Sequence, residues 1–164
     1  MINMRKMFLT VSVIVLFCLN VCAVTLQTGV SIEKVPKMFF GSWQVEAQLE
    51  KTSNYSIFKP RSHDLWNLSR TGNVITLENP FTKAKADIQL SKVEDKVVVF
   101  TKTSSYDNKV LRDSVTIRLG ENTFAGYNDI ILETRSLYDG HVLKSETAKY
   151  LIKGTKISGS SVLK

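Results

Sequence analysis

From Trp43 onward, apolar and polar positions alternate. Trp43, Val45, Ala47 and Leu49 are separated by Gln44, Glu46, Gln48 and Glu50. A period of two sustained this long is the mark of a strand with one buried face. The pattern recurs down the chain. Residues 64–70 hold Trp66 and Leu68, residues 74–78 hold Ile75 and Leu77, and Thr71-Gly72-Asn73 between them predicts a hairpin. Ala84, Ala86, Ile88 and Leu90 alternate with Lys85, Asp87, Gln89 and Ser91. The turn signal Glu94-Asp95-Lys96 leads into a β-branched run over 97–103. Tyr106-Asp107-Asn108 turns into residues 111–119, where Leu111, Val115, Ile117 and Leu119 share one parity and Ser114, Thr116 and Arg118 the other. Strands are predicted over 123–127 and 130–137, with Asp129 read as a turn residue between them. Asp139-Gly140 is a tight-hairpin dipeptide, and Ala148, Tyr150 and Ile152 mark a strand over 141–153. Gly154 is expected to end that strand, with a short last one at Lys156-Ile157.

Short strands separated by regular turns, with no long amphipathic helix among them, predict an all-β domain over residues 38–158. Its expected form is an antiparallel up-and-down meander of 8–10 strands. A meander of that size hides its edges most simply by closing, so a closed or nearly closed β-barrel is expected, with a β-sandwich as the alternative. Residues 24–37 form a lead-in, and residues 159–164 a polar tail expected to fray.

One short stretch adds a resemblance. Lys37-Met38-Phe39-Phe40 lead into Gly41-Ser42-Trp43, and a clean strand follows. This resembles the first strand of lipocalins and related calycin barrels, which opens with Gly-x-Trp after a short helical turn bearing an aromatic. A glycine permits a tight backbone approach, and a tryptophan at a strand's start can plug the closed end of a barrel. The resemblance implies that Gly41 and Trp43 are structural. It also implies that the barrel holds a small apolar molecule. The chain departs from the family pattern in having no Thr-Asp-Tyr in its later loops. It also lacks an arginine after the last strand to cover the tryptophan, since Arg135 is its final arginine.

The first residues change the picture differently. Arg5 and Lys6 precede an almost wholly apolar run over 7–19, and Val21-Cys22-Ala23 ends it with small or slim side chains. That reads as an export signal over residues 1–23, so the domain is expected to be periplasmic or secreted. Two alternatives keep it tethered: an uncleaved apolar anchor, or lipidation of Cys22. Both cysteines, Cys18 and Cys22, lie in this leader, so the domain has no thiol with which to form a disulfide.

Candidate chemistry is sparse. The only histidines, His63 and His141, are far apart, and neither sits in a nucleophile motif. No enzymatic activity, metal or cofactor is expected. The aromatics Trp66, Phe100, Phe124 and Tyr150 fall in predicted strands, where they either line a ligand cavity or fill the core. The formal charge of +7 includes a run of lysines near the C-terminus, among them Lys144, Lys149, Lys153 and Lys156. They suit either a solvated strand face or contact with an anionic envelope surface. Nucleic acid is not an expected partner of an exported protein. Two functions are therefore carried forward. One is binding of a small apolar or amphipathic ligand; the other is a protein-interaction or inhibitor role in the cell envelope or secreted space.

Overall fold

In the computed structural model, residues 30–159 and 161–163 are described; the predicted leader, 1–23, lies outside them. Two short 3-10 turns, Ile32–Lys34 and Lys37–Phe39, precede the first strand. The strands are β1 (Gly41–Thr52), β2 (Arg61–Thr71), β3 (Val74–Glu78), β4 (Lys85–Glu94), β5 (Val97–Tyr106), β6 (Lys109–Leu119), β7 (Thr123–Arg135), β8 (Val142–Ser158) and β9 (Ser161–Leu163). Strands β1 to β8 pair antiparallel with their chain neighbours, and β1 pairs with both β2 and β8. The meander therefore closes into a ring of hydrogen bonds, and the all-β expectation holds.

The differences from expectation have local causes. Strand β7 runs unbroken through Asn128-Asp129, because every residue from Phe124 to Thr134 finds a partner on both β6 and β8. Asp129 is thus a strand residue and not a turn residue. Gly154 does not end β8. A Cβ there would lie 2.1 Å from the ring of Phe124, so the glycine makes room for an aromatic while the strand continues. Nor is the polar tail simply frayed. Ser161–Leu163 pairs in parallel with Ser69–Thr71 of β2, along the stretch of β2 that extends past the start of β1. To reach it the chain crosses Gly41, whose φ is +119° and where a Cβ would lie 1.9 Å from the Gly159 carbonyl oxygen. Both the dihedral and the crossing exclude a side chain at this position.

The two ends of the ring differ. At one end, Trp43 is fully buried and its indole N–H donates to the Phe39 carbonyl at 3.0 Å. Phe124 lies 5.1 Å from Trp43 and stacks on Trp66 at 5.8 Å, and Phe100 meets Phe39 at 5.8 Å and Trp66 at 6.3 Å. These rings fill the interior as a plug. A lysine covers Trp43. The Lys156 ammonium sits 5.0 Å over the Trp43 ring and donates to the Met38 carbonyl at 2.9 Å, and burial lowers its pKa. At the other end the wall is uneven. Strand β3 meets β2 only from Asn67↔Glu78 downward, and β4 meets β5 only from Gln89↔Thr101 downward. The upper parts of β2 and β5 thus lack partners on the β3–β4 side, which leaves the rim low there.

Candidate functional site

The inward positions of a strand repeat every second residue, so the residues above the plug follow from those within it. In β5 the inward series passes from Val98 and Phe100 to Lys102. In β6 it passes from Ile117 and Val115 to Asp113, in β7 from Phe124 to Asn128, and in β2 from Trp66 to Asp64. Cross-strand register brings the first three of these polar exceptions to neighbouring levels: Lys102 is opposite Asp113, and Asn128 is opposite Val115, one step along from Asp113.

They wall a cavity of about 200 Å³. Val45, Ala47, Trp66, Ile130 and Ile152 supply its apolar surface, and Ser62, Asp64, Lys102, Asp113, Asn128 and Tyr150 its polar surface. Asp113 is nearly fully buried. One of its carboxylate oxygens accepts from the Lys102 ammonium at 2.7 Å and the other from the Asn128 amide at 2.9 Å. The carbonyl oxygen of Asn128 has no hydrogen-bond partner, although it is buried. Nearer the rim, Asp64 accepts from the Trp66 indole N–H at 3.0 Å and from the Asn79 side chain. Tyr150 is buried, which raises its pKa, and its hydroxyl donates to the Lys59 carbonyl at 2.9 Å.

The β1–β2 connection is tied to β8 on this side. The Asn54 amide donates to Glu146 at 2.5 Å, the Ser53 N–H donates to the Thr147 carbonyl at 2.9 Å, and Phe58 is buried in the main core. Glu146, itself nearly fully buried, also pairs with Lys144 at 2.7 Å. Hydrogen bonds from Lys144 and then Asn54 hold its pKa below the ordinary value.

The four aromatics singled out in the sequence therefore divide. Trp66 and Tyr150 line the cavity, whereas Phe100 and Phe124 do not reach it and belong to the plug. Gly41 and Trp43 stand at the closed end. Sequence reasoning missed Lys102, Asp113, Asn128 and Asp64. The signal was present, because each is a polar residue on the apolar parity of its strand.

The histidines stand elsewhere. His63 lies 4.0 Å from Glu46, and His141 lies 2.5 Å from Asp139 at the β7–β8 turn; neither lines the cavity. Among the described residues, no three His, Cys, Asp or Glu side chains converge into a metal-binding group. No protein-family model, curated protein or solved structure matches the chain.

Proposed function

We propose that this protein is an exported binding protein that holds a small amphipathic molecule inside its β-ring and acts by binding, not by catalysis. The observation that carries the reading is the Lys102–Asp113–Asn128 cluster at the wall of an interior cavity. Burying an ion pair contributes little to stability compared with well-packed apolar residues of similar volume. An acceptor left without a partner, such as the Asn128 carbonyl, costs about 1–3 kcal/mol. Closing the ring requires neither, and the lower half closes on hydrophobic side chains alone. The cavity volume suits a ligand slightly larger than a benzene ring, which fits a void of about 150 Å³. Its apolar body would lie against Val45, Trp66, Ile130 and Ile152, and its polar head against Asp113 and Asn128. The leader over residues 1–23 supports export.

The chain has two tryptophans. A Trp43→Phe variant leaves Trp66, at the cavity wall, as the sole indole reporter. Titration with hexanol and hexylamine is expected to change its emission saturably. That change should disappear in a Trp43→Phe/Lys102→Met/Asp113→Leu variant. No saturable change with either probe, or a change that survives removal of the ion pair, would overturn the reading.

A further inference from the structure

The four connections at the open end share a property that the cavity does not explain. Each carries or adjoins an exposed apolar or aromatic side chain: Tyr55 on β1–β2, Phe81 on β3–β4, Tyr106 at the end of β5 beside β5–β6, and Leu137 and Tyr138 on β7–β8. Exposure reaches 80 % at Phe81, 82 % at Leu137 and 102 % at Tyr138. The turns at the plug end face the same requirement to reverse a strand and do so with Gly72-Asn73, Asp95-Lys96 and Gly120-Glu121-Asn122. Among the described residues the exposed aromatic tips thus stand at the open end, while the plug end exposes the smaller Val74 beside its first turn.

Two of these connections, β1–β2 and β3–β4, are also free of carboxylates, whereas β5–β6 and β7–β8 carry Asp107 and Asp139. Between Lys51 and His63, and between Asn79 and Ala86, the sequence has no acidic residue. The first stretch contains Lys51, Lys59 and Arg61, and the second Lys83 and Lys85. All five are exposed. Among the described residues none lies within ion-pair distance of a carboxylate.

We propose that the open end docks on an anionic lipid bilayer, with these loop tips seated among the headgroups and the unpaired cations against lipid phosphates. Tyrosine suits that depth because its ring is apolar and its hydroxyl stays wet. Basic side chains next to an anionic leaflet add attraction that each apolar tip alone lacks. The tips are spread over four separate loops around a rim and form no single patch. A protein partner would need a contiguous desolvated core, whereas a fluid bilayer accepts separate insertions. The docked geometry turns the cavity's mouth toward the membrane, which suits the pick-up or delivery of an amphipathic molecule. The docking itself does not depend on the cavity being occupied.

The test is flotation of the protein, as purified from its host, with vesicles of equimolar phosphatidylglycerol and phosphatidylcholine, and with phosphatidylcholine alone. Strong binding to the anionic vesicles and roughly tenfold weaker binding to the neutral ones is expected. Leu137→Ser/Tyr138→Ser should weaken both by about tenfold or more. Lys83→Glu/Lys85→Glu should weaken only the anionic arm. Val74→Ser, at an exposed position of the plug end, should change neither. Thermal melts should show all variants folded, because these sites are exposed. The proposal is overturned by failure to bind either vesicle, by binding that ignores the rim substitutions, or by equal loss with Val74→Ser. A stable dimer or a protein complex that buries the rim, without vesicle binding, overturns it as well.

Discussion

Val115 and Asp113 are neighbours on the same face of β6, and the contrast between the two halves of the interior falls between them. Below Val115 the ring is filled by the buried Trp43, Phe100, Phe124 and Leu68. At the level of Asp113 the inward positions hold a lysine, a carboxylate and an amide around open space. The strands are continuous across the boundary, and so is the alternation. Stability and site are therefore separated by height along the same strands and not by domain or element. A change low in the ring is expected to act on folding, and a change high in it on binding.

The largest expected effect lies at the plug. Trp43→Ala removes the central ring and leaves Lys156 without the surface it covers, and a loss of about 3–5 kcal/mol is expected in urea unfolding. A melting temperature equal to that of the wild type would show that the plug does not carry the fold. Gly154→Ala comes next. Its methyl group would collide with Phe124, at a cost of roughly 1–3 kcal/mol. Adding Phe124→Leu to that variant should recover part of the loss, and purely additive effects would show that the two residues do not compete for one space.

The upper half should respond differently. Asp113→Ala strands the Lys102 ammonium and the Asn128 amide, with an expected loss of roughly 1–3 kcal/mol. Lys102→Met/Asp113→Leu, which replaces the pair by apolar groups, should be as stable as the wild type or more so. If the double variant is instead less stable than Asp113→Ala, the pair belongs to the fold and the contrast between the halves fails.

Smaller still is a pH effect at the β1–β2 connection. The folded-state pKa of Glu146 is lowered from 4.5 by Lys144 and Asn54. A lowered carboxylate pKa stabilises the fold above the unfolded value, and that contribution fades as pH falls through the folded value. As pH falls from neutral through 4.5 and below, the wild type should lose more stability than Glu146→Gln, read as urea midpoints along that descent. Equal slopes would show that Glu146 does not secure the connection. The smallest effect is expected at the rim tip, where Tyr138→Ser should leave stability within about 0.5 kcal/mol.

Much of the fold could be read from residues, because a period of two is a local signal. The hairpin from Trp66 to Leu77 and the strand from Trp43 were legible for that reason. Gly154 was misread as a strand end because its purpose, space for Phe124, belongs to a contact with another strand. The cover over Trp43 was missed because any cation suitably placed on β8 can serve, and Lys156 does. The site was only half legible. Trp66 and Tyr150 stand out as large aromatics. The residues that make the cavity polar are ordinary charged and amide side chains whose parity is their only mark. Which inward positions surround space and which surround packed rings depends on closure of β1 onto β8, which no short window of sequence contains.

The most direct measurement is native mass spectrometry of the wild type and the Lys102→Met/Asp113→Leu variant, each purified from the protein's own host. The wild type is predicted to carry a small molecule that leaves on unfolding, and the variant, folded and no less stable, to appear at the mass of its chain alone. Both proteins at bare chain mass, or both carrying the same molecule, would contradict the account.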